Sequence, residues 1–352
     1  MLFLKKKIKN IIFKNRIVVS PMCQYSAVNG SPSKWHYKHL ENLINSGAGS
    51  LIVESTAISK EGRISKKDLC LFNKTHFKEH KKLISYLKKT NNIPIILQIS
   101  HSGRKGSAEI PWIKPYTSLS NKNGWKTFAP SPIKRADNWP TPKELNKTQI
   151  KSIVNDFKNS AKLAYKAGYD GVEIHMAHGY LLHQFFSPIS NIRNDLFGGS
   201  LDNRIKIHLE ILKTINKITP KNKIIGARVT GNDHLKNGVK EIDCIYLLKK
   251  LHKLGLNYAC ISSGGIIPIT NMIFKKGFRV EMTKKIKKKT KIIIRTSGQI
   301  YPKIYINKIL NNKSLDFIAV GRKFISENNW LNQNLKKNTF NKKKPKQYLK
   351  CF

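Results

Sequence analysis

Two histidines, His175 and His178, stand in the run EIHMAHGY, and their spacing is the first sign of chemistry in this chain. Imidazoles near neutrality can move protons or hold a carbonyl oxygen. In an extended strand a three-residue step sends two side chains to opposite faces, so both reach one pocket only if the strand ends between them. Gly179 makes such an exit plausible, and Tyr180 beyond it brings a phenol to the same place. The HxxH pattern also suits zinc, but no third ligand stands at a suitable spacing, and no metal is expected. Taken singly these signals are weak: a lone His175 is more often a hydrogen-bonded structural residue, a lone Arg228 more often a salt-bridging one, and Tyr180 could simply pack.

Similar polar groups recur along the chain: Ser20-Pro21-Met22-Cys23-Gln24-Tyr25, Glu54-Ser55, Gln98 through Arg104, and Arg228 with Thr230 and Asp233. Three glycine signals follow, Ser262-Ser263-Gly264-Gly265, Ser297-Gly298 and Gly321-Arg322. Backbone N–H groups freed by glycine, with an arginine beside them, suit a phosphate better than a metal, and Arg322 is the candidate clamp. The plainer reading of these glycines is tight turns, and of Cys23 a small buried hydrophobe.

What unites these groups is their place relative to the elements. Eight apolar or β-branched runs cover 16–22, 50–55, 94–100, 171–176, 224–230, 258–263, 292–297 and 315–320, and every polar cluster lies at the end of one. Amphipathic stretches over 35–46, 76–89, 147–166, 202–218, 240–254 and 305–310 separate most of them. Strands alternating with helices imply parallel pairing, and this number of units closes into a (β/α)₈ TIM barrel whose functional side chains gather at the strands' C-terminal rim. A doubly wound open sheet is the alternative. One domain is expected, with residues 1–14 as a cap, a long loop over 103–146 after the third strand serving the site, and a basic tail over 336–352.

The chain of 352 residues holds 66 basic and 20 acidic side chains, a formal charge of +46. The lysines are spread over nearly every expected surface helix, which reads as solvated faces; a polyanion or nucleic-acid surface is the competing reading, without aromatic interleaving or a recognised motif to support it. Cys23, Cys70, Cys244, Cys260 and Cys351 show no CxxC spacing, so neither a zinc site nor a disulfide framework is expected, and a reducing cytoplasmic setting fits. The N-terminus lacks a signal h-region and the apolar runs are strand-length, so no membrane association is expected.

The stretches NRIVVSPMCQYS, LQISHSGRK, GYDGVEIHMAHGYLLHQFFSPISNIRNDLFGGSLDNR, GWKTFAPSPI, ARVTGND and AVGRKFI together resemble the old yellow enzyme family, in its bacterial class of NADPH dehydrogenases with a cysteine beside the flavin. The resemblance runs from Asn15 to the C-terminus. It implies FMN at the strands' C-terminal rim, contacted by Ser20, Pro21, Met22 and Cys23, with backbone from Ser55, where the family usually has alanine. Gln98 would bond the pyrimidine edge, Arg228 would lie by the flavin's N1 side, and Gly298, Gly321 and Arg322 would hold the phosphate. His175 and His178 would bind the carbonyl oxygen of an enone-type substrate, Tyr180 would donate the proton, and Tyr25 would line the pocket. NADPH or NADH would be the reductant in a ping-pong cycle that reduces activated C=C bonds; oxidative demethylation or hydroxylation is the alternative chemistry. A homodimer or homotetramer is implied, although Lys350 stands where the family commonly has an arginine reaching a neighbouring subunit. KIIIRTSGQ, over 291–299, is more polar than the family's usual run.

Overall fold

The computed structural model describes residues 1–120, 122–268, 274–311, 314–331 and 346–351. Most of the basic tail over 336–352, and the side chain of Lys350, lie outside the described residues.

Eight parallel strands carry the architecture: β1 (Ile17–Val19), β2 (Ser50–Ala57), β3 (Ile95–Ser100), β4 (Gly171–Met176), β5 (Ile224–Thr230), β6 (Tyr258–Ser262), β7 (Ile293–Thr296) and β8 (Phe317–Val320). Each pairs with its chain neighbour, and β1 pairs with both β8, Ile318 opposite Ile17, and β2, Val18 opposite Ser50. That double pairing closes the sheet and removes the open-sheet alternative. Helices α1 (Lys34–Ile44), α2 (Lys74–Thr90), α3 (Lys147–Ala167), α4 (Leu181–Phe186), α5 (Leu201–Ile218), α6 (Glu241–Lys253), α7 (Val280–Lys288), α8 (Lys303–Asn311) and α9 (Arg322–Ser326) lie between and after the strands. Caps set their ends. Asn146 opens α3 by accepting from the Gln149 amide while Gln149 reaches back, and Gly168 closes it at φ 104°.

Inside the barrel, Val18, Ile52, Ile96, Ile224, Tyr258 and Phe317 form one apolar layer, against which Ile8 and Phe13 pack. Those two residues belong to an antiparallel hairpin, Lys6–Ile8 with Ile11–Phe13, whose buried side chains join that layer. Next along the strands comes a buried polar layer. Glu173, fully buried, accepts from the Gln98 amide at 2.9 Å and the Tyr258 hydroxyl at 2.9 Å, and pairs with Arg295. This accounts for the polar seventh strand: Arg295 points inward as the counter-ion of a buried carboxylate.

The rim departs from regular strand where polar residues begin. The first strand was expected over 16–22 but pairs only through Ile17–Val19, because Pro21 has no N–H to give the ladder. The second runs past its expected end to Ala57, with a register shift between Val53 and Thr56 that makes Glu54-Ser55 a bulge. The long loop holds a short pairing of Phe128–Ala129 with Lys143–Glu144. The buried Arg104 guanidinium anchors it, donating to the carbonyls of Ile133, Lys134 and Ile266.

Candidate active site

Strand β4 ends at Met176, between the two histidines, and the turn that follows is left-handed at both His178 (φ 59°) and Gly179 (φ 71°). This is the exit the spacing required. Gly179 is needed for a further reason: a Cβ there would lie 2.1 Å from the Gly265 carbonyl oxygen. A buried network holds the turn. His183 Nδ1 accepts from the Gly179 amide at 2.8 Å, and its Nε2 lies 2.7 Å from Asp233, which also accepts from the Ser187 hydroxyl.

The result brings the imidazoles together, His175 Nε2 and His178 Nδ1 standing 3.3 Å apart. The Ala177 amide donates to His175 Nδ1 at 3.3 Å, and Ser262 Oγ lies 2.6 Å from His178 Nε2. Burial and the Arg228 charge hold both rings well below the ordinary imidazole range, so both are neutral. The Tyr180 ring meets His175 edge-on at 4.8 Å, and burial raises its phenol far above the usual range. Arg228, opposite His175 in register, leaves its buried Nε without a hydrogen-bond partner among the described residues.

Beside this group a cavity of about 630 Å³ opens between the ends of β1, β5, β7 and β8, lined by Ser20, Met22, Arg228, Ser297, Gly321 and Arg322 among others. Pro21 and Gly298 line it too, so seven residues assigned to the cofactor share one wall. Gly298 (φ 129°) and Gly321 keep it open: a Cβ at the first would press on Phe278 at 3.1 Å, and at the second on Met22 Sδ at 3.1 Å. Two remaining assignments lie deeper. Ser55 is buried in the bulge, and Gln98 is 2% exposed with its amide donor given to Glu173, which leaves its carbonyl oxygen available. Cys23 is a free thiol packed, with Tyr25 and Tyr180, against a cluster of Ile64, Ala108 and Trp139. Burial first, then Glu54 and Asp68, push its pKa up and keep it protonated. Another cavity, about 590 Å³, lies within the long loop by Glu109, Lys114 and Asn138 and touches none of the strand ends.

Sequence reasoning missed two cations. Lys105 donates from Nζ to the His178 carbonyl at 2.7 Å and stands 5.0 Å over the Tyr180 ring. Burial, then Arg135 and Arg104, bring its pKa down to about 7. Arg279 lines the cavity, donates to Ser263 Oγ at 2.9 Å, rests on Phe278, and is brought down to about 9 by burial and Arg228. Each was visible only as one more basic residue in a chain full of them.

An orphaned buried guanidinium nitrogen, a glycine-kept cavity and cations without carboxylates fit an anionic, polar-edged cofactor such as FMN, and the barrel with this rim defines a flavin-dependent oxidoreductase. The comparisons agree. The model of the NADH:flavin oxidoreductase / NADH oxidase family matches residues 1–341. The chain is 35% identical over 347 residues to the NADPH dehydrogenase of Clostridium acetobutylicum, covering 98% of this chain and 97% of that one. It is 35% identical over 326 residues to that of Listeria monocytogenes, covering 92% and 91%. Among solved structures, morphinone reductase superposes with a TM-score of 0.77 at 24% identity, covering 96% of this chain and 91% of that one. 2-Naphthoyl-CoA reductase superposes at 0.84 and 21% identity, covering 93% of this chain; the chain spans about half, 51%, of that protein's length. The chain belongs to the NADH:flavin oxidoreductase / NADH oxidase family, and is an NAD(P)H-dependent oxidoreductase that uses FMN. Among the described residues no helix is long and apolar enough to cross a membrane.

Proposed function

We propose that the enzyme reduces the C=C bond of α,β-unsaturated carbonyl compounds in a ping-pong cycle, NAD(P)H leaving before the alkene binds. The histidine pair supports this reading most directly. Because His175 Nδ1 accepts from the Ala177 amide, its neutral ring carries the proton on Nε2. That N–H donates to His178 Nδ1 at 3.3 Å, which leaves His178 Nε2 to bond Ser262 Oγ at 2.6 Å. A substrate carbonyl oxygen entering there accepts the His175 N–H, and a switch of the His178 tautomer, with the Ser262 hydroxyl then donating to Nε2, gives the oxygen a second N–H, so that it is polarised.

FMN, when bound, supplies the two-electron chemistry by accepting hydride from the nicotinamide and passing it to the alkene. Ser20, Pro21, Met22, Cys23, Ser55, Gln98, Arg228, Gly298, Gly321 and Arg322 are the residues that hold it, the fixed charge of Arg228 favouring an electron-rich ring system. Tyr180 gives its proton to the α-carbon, and Tyr25 lines the opening. The basic tail and the oligomeric state play no part in this reading.

The test is anaerobic. NADPH should bleach the flavin absorbance, and 2-cyclohexen-1-one should restore it. His178→Ala should slow restoration by ~10²-fold while leaving bleaching within a few-fold, the usual range for losing one polarising or proton-transfer group. A flavin that bleaches but is never reoxidised by any enone sinks the proposal and favours the alternative chemistries.

A further inference from the structure

The long loop brings more rings and cations up to Tyr25 and Tyr180. Trp112 meets the Tyr25 ring edge-on at 5.9 Å, and the buried Trp139 belongs to the apolar cluster against which Tyr25 and Tyr180 pack. The Arg135 guanidinium lies on Trp139, 4.3 Å from the ring centroid, and 5.9 Å from that of Tyr116. With Lys105 over Tyr180, the entrance has aromatic walls and two cations.

Unpaired cations are ordinary on a surface with 66 basic and 20 acidic residues. These two differ because they are half-buried beside the reactive groups, and among the described residues neither forms an ion pair. Burial pulls Arg135 below its usual pKa, and its charge acts on Tyr180, Tyr116 and Tyr25. A guanidinium desolvated without a counter-ion is unfavourable until an anion meets it, and stacking on indole fixes its planar fork without using its N–H groups.

We propose that this entrance selects flat, conjugated substrates bearing a fixed carboxylate, with Arg135 holding the carboxylate while the conjugated part lies along Tyr25 and Tyr180. The inference rests on the ene-reductase reading above. Lys105, nearer the histidine turn, adds to the attractive field.

The experiment titrates oxidised holoenzyme with 4-carboxycinnamaldehyde and with its methyl ester, followed by flavin absorbance. The acid should bind at least ~10-fold more tightly, Arg135→Leu should abolish the preference with the ester Kd changed less than ~2-fold, and Arg135→Lys should retain part of it. Equal affinities in the wild type, or a preference that survives Arg135→Leu, overturn the proposal. A second arm separates the coenzyme's phosphates as the source of the anion: the preference for NADPH or NADH in flavin bleaching should not respond to Arg135→Leu. If that preference changes while the acid stays favoured over the ester, Arg135 serves the coenzyme and the proposal fails. If chemically reduced enzyme passes electrons to neither aldehyde while oxidised enzyme still favours the acid, the reaction assignment falls and carboxylate selection stands.

Discussion

Lys105 places a titrating amine within reach of the phenol proposed to give up a proton. Its pKa is lowered to about 7, so the amine is charged below that pH and neutral above it. The charged form stabilises a developing tyrosinate, and the reaction of reduced enzyme with cyclohexenone should therefore slow as pH rises through about 7. Lys105→Met should remove that step and run at the slow limb's rate throughout, measured by stopped-flow reoxidation. A wild-type profile flat across neutrality, from acid well into alkaline pH, would assign the amine to holding the His178 carbonyl alone. Arg279 makes a different prediction. It lines the same cavity as Gly298, Gly321 and Arg322, so Arg279→Ala should weaken FMN by ~10-fold or more and riboflavin by much less, as expected for loss of one charge-assisted contact to phosphate. Flavin fluorescence quenching reads both affinities; equal losses would place Arg279 against the ring or ribityl chain instead. Neither residue was legible in the sequence. His175, His178, Arg228 and the glycines announced themselves by rarity and by lying at strand ends, whereas a lysine in SHSGRK or an arginine in KKGFRV looks like its neighbours.

At the scale of elements the barrel strands were legible because closed parallel sheets bury both faces, and β-branched runs such as IILQIS and GVEIHM have few other uses. The helices α4, α7 and α9 were not. In α7 the core-facing residues are Val280, Met282, Thr283 and Ile286, too few in a nine-residue segment rich in lysine to register as a period. The sequence also hid how strands cooperate. The polarity of Arg295 looked like a departure from an apolar run until Glu173 and Tyr258, three and one strands away, proved to be its partners. Arg295→Met would leave the Glu173 carboxylate buried with only neutral donors, at a cost of ~3–5 kcal/mol in urea unfolding. Adding Glu173→Gln should recover much of that loss, because the orphaned charge and not the lost packing carries the penalty. A double variant no more stable than Arg295→Met would reverse that attribution and make the guanidinium a packing element.

For the whole molecule the dominant quantity is the charge of +46, and its effect on the folded state can be separated from any effect on partners. Ion pairs such as Lys82 with Glu79 and Lys284 with Glu281 occupy a few helix faces, but acidic residues run out long before basic ones do. The remaining lysines repel one another across a compact body more strongly than in an expanded chain. Such repulsion between exposed groups is screened once the Debye length falls from ~30 Å at 0.01 M salt to ~10 Å at 0.1 M. The melting temperature of the holoenzyme should therefore rise by several degrees over that range and level off beyond it, with NaCl and KCl giving the same curve at equal ionic strength. A surface built to hold a polyanion behaves otherwise: an oligonucleotide would stabilise the protein at a defined stoichiometry and go on doing so at ~0.2 M salt, with preference for one sequence or shape. Binding that is sequence-blind and gone by that salt leaves the charge as a property of the solvated helix faces, and the barrel's C-terminal rim as the place where this chain does its chemistry.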